Sequence, residues 1–179
     1  MEGNATVFDD IGGDAIALKS SGSHLTENAA EAMMQYSTSA TLTDYMYTNV
    51  QLSHSWAGTT VYPHIHFMET TSSMPNFLLQ YRYQALGGAK TTAWTDIKCN
   101  TAALGYSSGT IQQISKTASG LTVTGGHISD VIQFRVIRDV SNSSGLFTGT
   151  DPVGAAVDVL SFDVHYEKNT LGSRTESAK

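Results

Sequence analysis

The residues best suited to chemistry are two histidines that stand two positions apart in one alternating segment. His64 and His66 lie in the run 61–69, VYPHIHFME, whose pattern predicts a β-strand. Because successive side chains of a strand point to opposite faces, both imidazoles lie on one face. Imidazoles that project from one strand face suit iron, manganese or zinc. Histidines on a sheet face also serve as polar groups that hydrogen-bond tyrosine, aspartate or a neighbouring subunit, and this use needs no metal.

The spacing around these histidines resembles the opening of the first cupin motif. Gly58 precedes His64 and His66 at the expected distance, and His165 resembles part of the second motif. This resemblance implies a metal-dependent enzyme with His64, His66 and His165 as ligands. The acid that the motif requires after the second histidine is missing, since Glu69 comes too early and points to the opposite face. The sequence therefore predicts no metal and no other cofactor, and the cupin-like enzyme is kept as an alternative.

The composition excludes several classes of partner. The chain has 179 residues and a formal net charge of -6, with only ten Lys and Arg residues and no basic run, so a nucleic-acid partner is not expected. The charged fraction is 15%, which is low against a usual value of about 25%. The N-terminus lacks the apolar core of a signal peptide, and no apolar run is long enough to span a membrane.

Catalytic motifs other than the histidine pair are missing from the sequence. It contains no Gly-x-Ser-x-Gly elbow and no phosphate-binding glycine loop before a helix. The single cysteine, Cys99, excludes an internal disulfide and has no local activator, so we expect a buried or idle thiol. These observations predict that the protein is not an enzyme.

Alternating apolar and polar residues predict a fold built from β-strands. Candidate strands lie at residues 44–52, 61–69, 77–85, 94–99, 110–116 and 129–140, with a short glycine-bounded segment at 120–126 and a last strand at 157–166. In that last strand Leu160, Phe162, Val164 and Tyr166 are expected to face the core. About eight strands separated by turn signals indicate an all-β protein, a single antiparallel β-sandwich or jelly roll.

The first part of the chain has no sustained periodicity. Residues 1–30 are therefore predicted to form an extended N-terminal arm with a few short strands, which either lies on a surface or is disordered. The next segment could begin as a helix capped by Thr26, but a strand from Met33 onward fits the β-rich sequence that follows. The resulting division is an arm over 1–30, a β-sandwich domain over 31–169 and a loose C-terminal tail over 170–179.

Several segments taken together resemble a family of small structural proteins of tailed bacteriophages. The segments are QLSHSW at 51–56, YPHIHF at 62–67, FDVHY at 162–166 and TLGSR at 170–174, with the strands at 76–83 and 135–139 fitting the same pattern. The resemblance covers residues 33–176. It implies a non-enzymatic component of the virion, assembled in the host cytoplasm.

Within the virion, the resemblance implies a capsid decoration (cement) protein, which would bind the major capsid protein and copies of itself as a homo-oligomer. Weak contacts repeated on a lattice add up through avidity. We expect the interface to include the outward-facing His64, His66, Arg82, Arg135 and His165. The alternatives are a neck, tail or fibre protein of the virion, a small carbohydrate-binding module, and the cupin-like enzyme.

Overall fold

The chain folds into β-strands throughout the part described by the computed structural model, which covers residues 7–14, 18–69, 71, 73–100, 109–123, 126–127 and 129–168. The strands are β1 (Val7–Asp14), β2 (Lys19–Ser21), β3 (Leu25–Asn28), β4 (Met33–Tyr36), β5 (Tyr45–Gln51), β6 (Trp56–Glu69), β7 (Phe77–Gln84), β8 (Thr95–Asn100), β9 (Gly109–Thr117), β10 (Leu121–Thr122), β11 (Val131–Arg138) and β12 (Val157–Lys168). Among these residues there is no helix, and hence none long and apolar enough to cross a membrane.

All twelve strands join one antiparallel sheet. Its order is β2-β5-β11-β7-β8-β9-β6-β12-β4-β3, with β1 added to β12 and β10 added to β6. The sheet turns back on itself at β8, which pairs with β7 on one side and with β9 on the other. The two ends of the path, β2 and β3, are consecutive in the chain. The sheet is therefore curled into a nearly closed barrel.

Aromatic side chains join the two halves of the curled sheet through the interior. The ring of Phe134 in β11 lies 5.2 Å from that of Phe162 in β12, and Phe67 in β6 lies 5.2 Å from Phe77 in β7. The buried hydroxyl of Tyr36 in β4 donates a hydrogen bond to the carbonyl of Val136 in β11. Edge-to-face and tilted aromatic pairs of this kind stabilise a core beyond the area they bury.

The antiparallel all-β prediction is confirmed, but the strand number is not. The structure has twelve strands in its described residues where about eight were expected, and the sheet is barrel-like rather than plainly a sandwich. The difference arises mainly before residue 37, where the structure has four strands. Three of them lie within the segment predicted as an arm and pair with β12, β5 and β4. The predicted tail over 170–179 lies outside the described residues.

The predicted strand from Met33 is confirmed. Met33–Tyr36 is β4, and it forms a hairpin with β3 instead of continuing a helix. The intervening turn places Ala32 at φ 54, in the left-handed region that a helix does not use.

One predicted core position, Leu160, does not face the core. Its neighbour Val159 is fully buried, and the register with β6 then shifts between Val159 and Ser161. The inward pattern resumes at Phe162, and Leu160 is left only half-buried. A β-bulge inserts one residue and so reverses the alternation, which explains why a strict period of two fails at this position.

Candidate functional site

The predicted faces of the histidine strand are confirmed. In β6 the inner residues Val61, Ile65 and Phe67 are buried in the core, while His64 and His66 point outward. Because β6 pairs with β12 on one side and with β9 on the other, its outer side chains stand on a backbone of fixed register.

The last strand places two further ligating groups beside His64. Asp163 is its register partner in β12, and His165 follows two residues later on the same face. The ring centroids of His64 and His165 are 4.1 Å apart, and His165 Nε2 lies 3.0 Å from Asp163 Oδ2. One ligand atom from each of the three residues falls within 4.8 Å of the other two.

Two more residues complete this histidine cluster, which we define as His64, His66, Asp163, His165 and Asp10. His66 Nε2 lies 3.0 Å from Asp163 Oδ1, so the Asp163 carboxylate bridges two imidazoles. Asp10 of β1 places Oδ1 3.0 Å from His165 Nε2, so His165 stands between two carboxylates. The ligand set implied by the cupin resemblance included His66, whereas the atoms that converge belong to His64, Asp163 and His165.

Two groups in the cluster, His64 and Asp163, have lowered pKa values. Burial, followed by the charge of His165, lowers the pKa of His64 to about 4, so this imidazole is neutral at pH 7. Burial alone would raise the pKa of Asp163, but the hydrogen bond from His66 and the nearby imidazoles hold it below its usual range. His64 is only 7% exposed, and its Nδ1 has no hydrogen-bond partner among the described residues.

The histidine cluster lies on the outside of the curled sheet. An open depression of about 320 Å³ adjoins it, and Phe8, Tyr62 and Lys116 contribute to its lining. The interior is filled by apolar side chains on the opposite face of the same strands. The three histidines therefore do not assemble a centre inside the barrel.

A second polar site occupies the outer face of the other half of the sheet. The guanidinium groups of Arg82 in β7 and Arg135 in β11 lie 4.4 and 4.1 Å from the ring centroid of Trp94. Arg135 also lies 4.2 Å from the ring centroid of Tyr45. We call these four residues the arginine–tryptophan patch. They border a depression of about 380 Å³ that Tyr47 and Gln133 also line.

The five residues predicted for an interface fall into two separate groups. His64, His66 and His165 are together on β6 and β12, whereas Arg82 and Arg135 are together on β7 and β11. Because these strand pairs pack against each other through the core, their outer faces point in opposite directions. The structure therefore places three of the five residues on one outer face and two on the other, whereas the prediction had put them in one interface.

The sequence reasoning missed Asp10, Asp163 and Trp94 as members of these sites. Alternation placed Asp163 and His165 on one outer face, but only the pairing of β12 with β6 brings them to His64. Asp10 depends on the pairing of β1 with β12, in a segment without recognisable periodicity. Period two gives the face of a side chain and not its neighbours on the next strand.

The expectation for Cys99 is confirmed. Its side chain is buried, and burial raises the pKa of the thiol well above its usual range. A thiol in that state is a poor nucleophile.

No protein-family model matches this chain. No curated protein matches it either.

Proposed function

We propose that this chain is a structural protein of a tailed-bacteriophage virion, and specifically a capsid decoration protein. It would bind the major capsid protein and copies of itself, without enzymatic activity. The observation that carries this proposal is the arginine–tryptophan patch, a stacked group of aromatic rings and guanidinium groups on an outer sheet face. The segments that resemble phage structural proteins support the same assignment.

The composition of the patch is typical of protein interfaces. Arginine, tryptophan and tyrosine are enriched among the residues that contribute most of the binding energy between proteins. The guanidinium of Arg135 is part-exposed and lies against the rings of Tyr45 and Trp94. A carboxylate on a capsid surface would pair with this cation.

The patch is also pre-organised. Arg82 Nε donates to Gln133 at 2.6 Å, and Gln133 donates in turn to Asn49 at 2.8 Å, which links three adjacent strands. Arg135 donates to Gln80 at 3.3 Å. Side chains that are already ordered lose little entropy on binding, and weak contacts repeated on a lattice then act together.

The architecture suits such a role. We infer that the curled sheet belongs with the sandwich and jelly-roll folds, because β5, β11 and β7 pack face to face on β4, β12 and β6. A body of this kind presents outer faces with fixed geometry to a lattice.

Cosedimentation with undecorated capsids of the source phage tests the proposal. The protein should saturate the capsids, and Trp94→Ala should weaken binding by about 30-fold or more, as expected for a residue at the centre of an interface. Arg135→Gln should weaken binding as well. Lys116→Gln is the matched control, since it removes one positive charge on the opposite face. Capsids that bind no protein, or bind the Trp94 variant equally well, would refute the assignment.

A neck, tail or fibre protein is the second candidate. The depression beside Trp94 favours it, because a part-exposed indole at its edge can stack on a sugar ring. Quantitative mass spectrometry of purified particles separates the two roles. A decoration protein is present in proportion to the capsid protein, whereas a neck or tail protein is present in proportion to the portal. A glycan array tests sugar binding directly.

A further inference from the structure

We propose that His64, Asp163 and His165 form a binding site for one divalent transition-metal ion, best matched by Zn²⁺, with Asp10 as a fourth ligand. The first argument is convergence. The three residues come from two adjacent strands of fixed register, and their ligand atoms lie within 4.8 Å of one another. Asp10 of β1 lies beside this group, with Oδ1 3.0 Å from His165 Nε2.

The donor set selects the kind of ion. Two imidazoles with one or two carboxylates suit zinc and its first-row neighbours, whereas magnesium and calcium prefer oxygen ligands alone. Zinc binds nitrogen and oxygen at about 2.0 to 2.2 Å in a tetrahedron, which places the ligand atoms about 3.4 Å apart. Side-chain rotations of modest size therefore bring His64, Asp163 and His165 into coordination without moving the strands.

The second argument is the state of His64. Its side chain is almost fully buried, and Nδ1 lacks a hydrogen-bond partner among the described residues. A buried polar atom without a partner carries a desolvation cost, so an imidazole in this setting is unusual unless it has a ligand to bind. A metal ion beside His165 gives His64 a partner.

The surroundings of the site resemble the outer shell of a metal centre. His66 Nε2 contacts Asp163 Oδ1 at 3.0 Å and leaves Oδ2 directed toward His165. Residues that orient a ligating carboxylate in this way contribute to metal affinity without touching the ion. We therefore assign His66 as a positioning residue.

The ion would tie together three strands that are distant in the chain. Asp10 is in β1, His64 is in β6, and Asp163 and His165 are in β12. In the described structure β1 pairs with β12 alone. A metal bound to all three strands would hold β1 against the sheet. It would stabilise the folded state by an amount that increases with its affinity and its concentration.

The test is a titration of the chelator-treated full chain with Zn²⁺ and Co²⁺. We expect one ion per chain, a rise in melting temperature with Zn²⁺ and a visible spectrum of Co²⁺ bound to nitrogen and oxygen. Loss of a positioning residue reduces metal affinity by about 10- to 100-fold. Because His165 is a ligand, His165→Ala should reduce Zn²⁺ affinity by more than that. His66→Asn should stay within that range and keep the Co²⁺ spectrum.

His127→Ala is the matched control. It also removes one histidine that lies near a carboxylate, since His127 Nδ1 is 3.5 Å from Asp130. Its affinity for Zn²⁺ should equal that of the unchanged protein. Asp163→Asn keeps the shape of the side chain and covers the case in which His165→Ala does not fold. Failure of the unchanged protein to bind Zn²⁺ would overturn the proposal, as would an equal loss of affinity in the His127 and Asp163 variants.

Discussion

Arg138 is a charged side chain placed inside the core with every donor group occupied. It is fully buried, and its Nε lies 2.8 Å from Asp151 Oδ2 in an ion pair that is also fully buried. The remaining guanidinium nitrogens donate to the backbone carbonyls of Tyr36, Ser37, Val153 and Ala155. The arginine thereby connects β11 to the segments around β4 and before β12.

Loss of Arg138 should be among the most damaging single changes. Arg138→Met should lower the free energy of unfolding by about 3 to 5 kcal/mol, because it leaves Asp151 charged, buried and without its partner. Urea denaturation followed by circular dichroism measures the change. Arg82→Met, at a half-exposed site, should cost about 1 kcal/mol or less. Similar losses for the two variants would contradict the structural role of Arg138.

Asp44 is another buried charged residue, and its hydrogen-bond partners lower its pKa. It accepts hydrogen bonds from the backbone nitrogens of His24 and Thr41, at 3.0 and 2.8 Å, and from the Thr41 hydroxyl at 2.8 Å. Burial alone would raise the pKa of the carboxyl, but these bonds outweigh it and lower the pKa from 3.8 to about 2.

This pKa predicts an acid-dependent loss of stability. The carboxyl binds protons less readily in the folded state than in the unfolded state. Its contribution to the free energy of unfolding is therefore complete above pH 3.8 and is lost as the pH falls through about 2. Asp44→Asn should therefore be less stable than the unchanged protein by about 2 kcal/mol at pH 6, and the gap should narrow between pH 4 and pH 2. Urea denaturation at stepwise pH measures it. A gap that stays constant down to pH 2 would exclude the protonation of the Asp44 carboxyl as the cause of an acid-dependent loss of stability.

At the scale of single elements, the bulge in β12 can be tested by comparing two neighbouring positions. Phe162 is buried in the core, so Phe162→Ala should cost about 3 to 5 kcal/mol of unfolding free energy. Leu160→Ala should cost about 1 kcal/mol or less, because the bulge turns this side chain partly to solvent. A cost of about 2 to 5 kcal/mol at Leu160 would instead indicate a regular strand with this leucine in the core.

The attachment of β1 depends on a glycine that faces β12. Gly12 is the register partner of Asp163, and a Cβ added to it would lie 2.8 Å from Asp163 Cα and 3.0 Å from the carbonyl oxygen of Phe162. Because these are backbone atoms, Gly12→Ala should displace β1 from the sheet. We expect amide exchange in Val7–Asp14 to accelerate by about tenfold or more, as a cost of about 1 to 3 kcal/mol implies.

Gly154→Ala is the control for this change. No described atom lies within 4 Å of the position that its Cβ would take, so exchange in β1 should remain as in the unchanged protein. Amide exchange that is equally slow in both variants would show that β1 tolerates a side chain at position 12.

The same elements show how far the sequence could specify the fold and the sites. Period two gave the inner and outer faces of β6 correctly, because the apolar residues Val61, Ile65 and Phe67 all pack in the core from one face. Period two also places Arg138 on the same face as Phe134 and Val136, and the structure buries all three side chains. Which side chains lie next to each other on a face depends on the order of the strands, and the alternation of apolar and polar residues does not specify that order.

At the scale of the whole molecule, the first and last strands of the described part pair with each other. β12, the last strand, lies between β6 on one side and β4 and β1 on the other. Pairings between such distant segments form only after large loops close, so folding in the range of milliseconds to seconds is expected. β1, β4 and β6 cannot complete their pairing before β12 has been synthesised and docked.

One contiguous core joins the two halves of the sheet, and this predicts cooperative unfolding. The core cluster contains Trp56, Phe134 and Phe162 together with residues from β3 through β12. In a Trp94→Phe variant, fluorescence reports Trp56, which is 1% exposed, and its urea transition should coincide with that of far-ultraviolet circular dichroism. A Trp56→Phe variant, in which Trp94 on the outer face is the reporter, should also show coincident curves. Separate midpoints would mean that one half of the sheet, or the strands before residue 37, unfolds on its own, and the shared core would then not be the unit of stability.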